Sequence, residues 1–167
     1  MPTSSLLSFP DPVNEVSARL VAGGVVAMSV AAIVFNPPWL LLVIAYGFVA
    51  RVLTGPSLSP LGQLVTRVVT PRLPLTPRPV PGPPKRFAQG IGALFSVSAA
   101  VLGVGFGMRL AADLVLAMLV VAASLESFAG YCLGCRAFTL LMRAGIIPES
   151  VCEACADIRS RAPSTVG

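Results

Sequence analysis

The fold is decided by residues 85–135, which read KRFAQGIGALFSVSAAVLGVGFGMRLAADLVLAMLVVAASLESFAGYCLGC. Two apolar runs, over about 87–106 and about 110–131, are each long enough for an α-helix to cross a bilayer, which takes about 20 residues. Only Gly107-Met108-Arg109 separates the two runs. The sequence therefore predicts two membrane spans that form a tight helical hairpin.

The N-terminal half repeats this pattern with a second predicted hairpin. An almost wholly apolar run covers about 16–35, Asn36-Pro37-Pro38 breaks it, and a shorter apolar run follows over about 38–53. Asp11 and Pro12 precede the first run and predict the N-cap and the first helical residue. The predicted fold is thus an all-α membrane protein with four spans in two hairpins.

The segment between the hairpins has a different composition. Ser59-Pro60 is a typical helix start, and apolar residues recur at helical spacing behind it. We expect an interfacial helix over about 60–70 that ends before Pro71. The stretch 71–84 is rich in proline and predicts a stiff, extended linker. A membrane domain over 1–135 and a cysteine-bearing cytoplasmic tail with short helices over 136–167 complete the predicted organisation.

The composition excludes several classes of protein. Hydrophobic residues make up 55% of the 167 residues and charged residues 11%, whereas soluble domains carry about 25% charged residues. The net charge is +5, but a single Lys and arginines that flank apolar runs argue against a nucleic-acid partner and for a lipid bilayer. The N-terminus lacks a basic segment, so we expect the first apolar run to remain in the mature protein. Histidine is absent, which leaves Cys, Asp and Glu for metal or proton chemistry.

The distribution of basic residues predicts the orientation. Four spans place both termini and the middle loop on one side, and that side takes eleven of the twelve basic residues, whereas Arg109 alone lies on the other. Basic residues near span ends are retained in the cytoplasm. We therefore expect a multi-pass plasma-membrane protein with cytoplasmic N- and C-termini. The eleven are Arg19, Arg51, Arg67, Arg72, Arg78, Lys85, Arg86, Arg136, Arg143, Arg159 and Arg161.

All four cysteines lie in two CxxC motifs, Cys132–Cys135 and Cys152–Cys155. Their C-x2-C-x16-C-x2-C spacing is typical of a four-thiolate zinc site, with Gly134 permitting the turn, and an iron–sulfur cluster is an alternative. The leading hypothesis is a zinc-ordered interaction surface rather than an enzyme. The second is a thiol-disulfide oxidoreductase or relay that uses Cys132 and Cys135, since nearby arginines favour a thiolate. A permanent disulfide does not suit a reducing compartment.

Four spans with a CxxC motif are similar in outline to quinone-linked membrane disulfide enzymes of the vitamin K epoxide reductase and bacterial disulfide-forming types. Those enzymes carry their cysteines toward the oxidising face. The distribution of basic residues predicts these cysteines on the opposite, cytoplasmic face. A quinone-linked disulfide enzyme is therefore only an alternative hypothesis.

Other polar and small residues suggest structural roles. Glu126 lies within the fourth span, where a carboxylate is a functional candidate, but we expect it to pair with Arg51 or Arg86 rather than relay protons. Arg109 and Asp113 are spaced for an i,i+4 ion pair. Small residues at four-residue steps predict close helix packing, with a homo-oligomer through the Gly103/Gly107 face as the weaker alternative. These residues are Gly23, Ala27, Ala31, Ala99, Gly103 and Gly107.

Several short motifs together resemble the bacterial membrane family called domain of unknown function 4395. They are Asp11-Pro12-Val13-Asn14, Gly55-Pro56 through Pro71-Arg72, Lys85-Arg86-Phe87-Ala88-Gln89-Gly90-Ile91-Gly92 and Cys132-Leu133-Gly134-Cys135. The resemblance covers roughly residues 11 to 140. It implies a bacterial inner-membrane protein, with a thioredoxin-like or sulfurtransferase partner in thiol or sulfur metabolism.

Overall fold

The computed structural model describes residues 9–153 and residue 155, and these are mostly helical. The elements in chain order are β1 (Val13–Asn14), α1 (Glu15–Phe35), α2 (Pro38–Thr54), α3 (Pro60–Leu64), a π-helical turn (Val65–Val69), α4 (Thr70–Arg72), β2 (Pro79–Val80), α5 (Gly82–Ala100), a second π-helical turn (Val101–Gly105), α6 (Arg109–Ala129), α7 (Leu133–Arg143) and a 3-10 turn (Glu149–Val151).

Three helical segments are long and apolar enough to cross a membrane: α1, α5 with its π-helical continuation, and α6. Many of their large apolar side chains are exposed on the outside of the bundle, as a lipid-facing surface requires. The fourth predicted span, α2, is an apolar helix of 17 residues. At about 1.5 Å per residue it is a few ångströms shorter than a bilayer core of about 30 Å, so its crossing stays a prediction.

The helices pack mainly between the two predicted hairpins rather than within them. α1 lies chiefly against α6, and α2 lies chiefly against α5. Small residues make both approaches close: a Cβ added at Gly23 on α1 would lie 3.0 Å from Oγ of Ser127 on α6, and one at Gly92 on α5 would overlap the ring of Phe48 on α2. Van der Waals packing drives helix association in lipid, and glycine lets the partner side chain reach the helix backbone.

Two arginines fasten α1 to α6 at opposite ends. Arg19 donates from Nε and Nη2 to the carbonyl of Ser127, at 3.1 and 3.0 Å, and from Nη2 to that of Phe128, at 3.0 Å. Arg109, at the start of α6, donates to the carbonyl of Ala32 near the end of α1. Arg19 satisfies carbonyls in the last turn of α6, which has no following helical turn to supply donors, whereas the Ala32 carbonyl also accepts from the Asn36 amide at 3.2 Å. The two helices are therefore antiparallel.

The N-terminal segment differs from its prediction. Asp11 does not cap α1, which begins at Glu15 with Asn14 as its N-cap; the Asn14 Oδ1 accepts from the Val16 amide at 3.1 Å. Asp11 instead accepts from the amide of Gly82, at 2.9 Å, where α5 begins. The chain can do this because β1 pairs antiparallel with β2, Val13 opposite Val80 and Asn14 opposite Pro79. The start of the chain is thus tied to the proline-rich loop.

The middle segment also corrects two boundaries. Ser59 caps α3 as predicted, its Oγ accepting from the Gly62 amide at 3.2 Å, but helical structure continues past Pro71 to Arg72. The π-helical turn lies directly before Pro71 and widens the helix where the proline ring would otherwise clash with a preceding carbonyl. The extended linker is shorter than 71–84, because α5 begins at Gly82 rather than 87.

The two ends of the bundle differ in polarity. The α1–α2 and α5–α6 connections form one end, where Arg109 and Asp113 make the predicted ion pair at 3.0 Å. The N-terminal segment, the middle loop and α7 gather at the other end. Nine of the eleven basic residues assigned to that side are described, and they belong to it by sequence position; Arg159 and Arg161 lie outside the described residues.

Candidate functional site

A buried polar layer lies where α2, α3 and α5 meet. Arg51, near the end of α2, is only 5% exposed. Its Nε donates to Oε1 of Gln89 at 3.0 Å, its Nη1 donates to Oγ of Ser59 at 3.2 Å, and its guanidinium carbon lies 4.4 Å from the ring centre of Phe48. A buried guanidinium needs such partners, because an unpaired buried charge is costly. The layer is therefore a fixed polar surface inside an apolar bundle.

Glu126 adds a carboxylate to the same end. Its Oε1 lies 2.7 Å from Nζ of Lys85 on α5, and both side chains are largely buried. The prediction that Glu126 pairs with Arg51 or Arg86 is therefore wrong. Arg51 is held by Gln89 and Ser59, and Arg86 donates to the carbonyl of Val52 at 3.0 Å. The first turns of α5 bring Lys85 beside the end of α6, which the earlier helix start makes possible.

Cys132 is the N-cap of α7. Its Sγ accepts from the backbone N–H of Cys135 at 3.2 Å, and its carbonyl accepts from the N–H of Arg136 at 3.1 Å. The segment is positioned by Gly130, which ends α6 in the left-handed conformation (φ 67°), two residues before the predicted end of the span. The first cysteine thus faces the positive end of a helix dipole, where a negative sulfur is favoured.

Gly134 has a different role from the one expected. It lies inside α7 and makes no turn of its own; a Cβ added there would lie 2.5 Å from both Cα and Cβ of Ala88. The ring of Phe138, one helical turn further, packs against Phe87 at 5.6 Å between centroids. Glycine at 134 therefore lets the CxxC turn lie directly against α5, next to the polar layer.

Each CxxC motif is paired with itself. Cys132 is bonded to Cys135 and Cys152 to Cys155, with Cα–Cα separations of 5.2 and 5.3 Å. These separations lie inside the range of about 4.4–6.8 Å that a disulfide spans, so the backbone of each motif fits a disulfide within the motif. Within residues 9–153 and 155, no three Cys, Asp or Glu side chains converge as metal ligands. The four-thiolate site remains a prediction from spacing.

The Cys132–Cys135 pair lies between an internal cavity and an outer groove. The cavity, about 390 Å³, is lined by residues of α1, α2, α5, α6 and α7, and its polar lining comes from Arg51, Gln89, Glu126 and Cys132. The groove, about 360 Å³, is lined by both cysteines together with Lys85 and Arg136. One disulfide is therefore reachable from two sides.

Lys85 and Gln89 are the site residues that analysis by composition and spacing missed. Neither stands out as a motif, and Lys85 falls between the predicted linker, which ends at 84, and the predicted span, which begins at about 87. Both residues lie in the run Lys85-Arg86-Phe87-Ala88-Gln89, which is part of the family resemblance but indicates no role for either side chain. In a helix, residues 85 and 89 are four apart and share a face, which is the face turned toward Arg51 and Glu126.

Comparison with known proteins identifies the family. The model of the family described as Domain of unknown function (DUF4395) matches residues 13–143. The match contains Cys132 and Cys135 but ends before Cys152 and Cys155. No curated protein and no solved structure matches the chain.

Proposed function

Because the chain belongs to this family, whose description assigns no activity, we propose a function from the site itself: a membrane thiol-disulfide exchange protein that uses Cys132 and Cys135. The observation that carries the proposal is the position of Cys132, which caps α7 and accepts a hydrogen bond from the Cys135 amide. Such an N-terminal cysteine is the usual attacking thiol of a CxxC motif.

The outer groove suits a soluble partner of the thioredoxin type. A thiolate of the partner's dithiol attacks the Cys132–Cys135 disulfide and forms a mixed disulfide through Cys132, while Cys135 leaves as a thiolate. The second partner thiol then displaces Cys132. The partner becomes a disulfide and this chain a dithiol, so two electrons move and the protons are exchanged with water. Lys85 and Arg136 line the groove and favour the departing thiolates.

We propose that this end of the molecule faces the cytoplasm of a bacterial cell, with the bundle in the inner membrane. The sequence assigns eleven of the twelve basic residues to the side of the bundle that carries the cysteines, and Arg109 alone to the other side. Dithiol exchange, rather than a permanent disulfide, is the use of a CxxC motif that suits a reducing compartment. A sulfurtransferase is the alternative partner, in which case Cys132 would carry a persulfide instead of a mixed disulfide.

The test uses detergent-purified full-length protein in glutathione redox buffers. We expect Cys132 and Cys135 to interconvert as one two-electron pair, read by alkylation and mass spectrometry. Cys135→Ser leaves Cys132 as a free thiol, which should attack the disulfide of an oxidised thioredoxin-like protein and hold that protein as a mixed disulfide. The matched variant Cys155→Ser, which leaves Cys152 as the free thiol, should hold none. A Cys132–Cys135 pair that stays closed or unreactive across the buffers would refute the proposal.

The same preparation decides the zinc hypothesis, in which Cys132, Cys135, Cys152 and Cys155 hold one ion. That hypothesis rests on the C-x2-C-x16-C-x2-C spacing. Metal analysis of reduced protein that found about one zinc per chain, lost in both Cys132→Ser and Cys152→Ser, would establish it. Iron and sulfide in place of zinc would indicate a cluster.

A further inference from the structure

We infer that the internal cavity beside Cys132 binds the ring of a membrane quinone, and that the Cys132–Cys135 dithiol reduces it. The inference rests on the proposed exchange function and names the electron acceptor of the same site. The observation behind it is that Cys132, one thiol of the pair, lines the polar end of an otherwise apolar cavity inside a membrane bundle.

The walls of the cavity fit a flat apolar ring. They include Phe48, Phe95, Met118 and Leu119, from α2, α5 and α6. A volume of about 390 Å³ falls within the range of about 300–1,000 Å³ that is common for small-molecule sites. The cavity also lies among helices whose outer faces are apolar, so a lipid-soluble carrier could reach it from the bilayer without crossing water.

The polar end offers hydrogen bonds to a carbonyl oxygen. A guanidinium has five N–H donors, and the described contacts of Arg51 occupy Nε and Nη1. Gln89 uses its Oε1 to accept from Arg51, which leaves its NH2 group as a donor at the cavity lining. Donor side chains at the lining of a cavity whose other walls are apolar are typical of a site that orients a ligand by one polar group.

The charges at this end favour a neutral ligand over an anion. Arg51 and the carboxylate of Glu126 both line the cavity, so a fatty acid would meet a carboxylate as well as a guanidinium. An acyl chain alone would leave the donors of Arg51 and Gln89 facing hydrocarbon, which is costly. A quinone satisfies both conditions, since it is uncharged and carries carbonyl oxygens on an apolar ring.

The reaction balances without a further component. The Cys132 and Cys135 thiols lose two electrons and two protons and form the disulfide bond, while the quinone gains two electrons and two protons and becomes the hydroquinone. A thioredoxin-like dithiol in the outer groove then reduces the disulfide again. Because Cys132 lines both the groove and the cavity, and its disulfide partner Cys135 lines the groove, electrons pass from a soluble thiol to a membrane carrier through one disulfide.

The experiment mixes reduced full-length protein in detergent with a decyl-substituted benzoquinone whose ring positions are all occupied, so that thiols cannot add to the ring. Quinone loss is followed by ultraviolet absorbance and disulfide formation by alkylation. We expect one quinone reduced for each Cys132–Cys135 disulfide formed. Ala122→Phe on α6 projects a ring into the cavity and should lose most of this reduction. The matched control Ala117→Phe, on the exposed face of α6, should not.

A second variant tests the polar end. Gln89→Glu keeps an oxygen that accepts from Arg51 but removes the NH2 donor, and it should raise the quinone concentration for half-maximal rate about tenfold, as expected for the loss of one hydrogen bond of roughly 1.4 kcal/mol. Thermal unfolding of each variant confirms that the bundle is intact. Quinone reduction that is the same in Ala122→Phe as in Ala117→Phe would overturn the inference, because the reaction would then take place outside the cavity.

The two proposals fail separately. If the unmodified protein exchanges disulfides with glutathione but does not reduce the quinone, the quinone inference is wrong and the exchange function stands. If Cys132 and Cys135 exchange with neither, the proposed function fails and the inference with it.

Discussion

Gly134→Ala tests whether the CxxC turn is held by its contact with α5. A Cβ at 134 would lie 2.5 Å from Cα and Cβ of Ala88, whereas non-bonded carbons prefer about 3.5–4.0 Å. The start of α7 must therefore move away from α5 by about 1 Å. Overpacking of this kind costs about 1–3 kcal/mol.

The matched control is Gly90→Ala on α5, where an added Cβ meets nothing within 4 Å. Both substitutions gain helix propensity, about 0.5–1 kcal/mol at the interior position 90 and less at 134, the second residue of α7. The difference between the two variants therefore isolates the contact with Ala88. We expect Gly90→Ala to be slightly stabilised and Gly134→Ala to be less stable than it by about 1–3 kcal/mol.

Thermal unfolding in detergent measures the difference, at about 2–4 °C per kcal/mol for a chain of this size. Alkylation of reduced protein gives a second readout, since a displaced α7 should expose Cys132 and speed its reaction. If Gly134→Ala were as stable as Gly90→Ala and its thiols reacted at the unmodified rate, the close packing of the CxxC turn on α5 would be refuted.

Further substitutions probe the Lys85–Glu126 ion pair and the hydrogen bonds that Arg19 makes between α1 and α6. Lys85→Met leaves the largely buried Glu126 carboxylate unpaired and should cost about 3 kcal/mol of unfolding free energy, most of it recovered when Glu126→Gln is added. Arg78→Met removes an exposed partner 3.8 Å from Glu15 and should change the free energy of unfolding by less than about 1 kcal/mol. If Lys85→Met and Arg78→Met had equal effects, burial of the Lys85–Glu126 pair would be refuted. Arg19→Leu removes three hydrogen bonds to α6 carbonyls and should cost about 1.5–3 kcal/mol in chemical unfolding. An unchanged midpoint would show that these bonds are replaced by water.

The long apolar runs were predictable because hydropathy and helix length are local properties. The helices α1 and α6 begin and end within about two residues of their predicted bounds, and the Arg109–Asp113 pair follows from i,i+4 spacing. The Ser59 cap is equally local.

The misassigned features depend on contacts between distant segments. Asp11 and Asn14 are both good capping residues, and only the pairing of β1 with β2 decides which of them caps α1. Likewise Lys85 could meet Glu126 only once α5 began before residue 87, which no local pattern of the proline-rich stretch indicates.

The sequence predicted one part of the cysteine site, the CxxC motif, but not the cavity beside it. The motif and its CxxC chemistry are local, but the cavity beside Cys132 is formed by residues from five helices and has no sequence pattern of its own. The role of Gly134 was misjudged for the same reason, since its neighbour Ala88 lies 46 positions earlier in the chain.

The packing of α1 on α6 and of α2 on α5 bears on how the protein is made. During synthesis α1 and α2 are made before their main neighbours, α6 and α5. The first two helices therefore cannot pack fully until the later two have been made. The walls of the cavity close only after α7, which follows the last long apolar helix, has left the ribosome. A nascent or truncated chain would therefore carry its apolar helices in the bilayer but lack the complete cavity. Its dithiol would then have no site at which to meet a lipid-soluble oxidant, so unfinished copies would not consume cellular thiols.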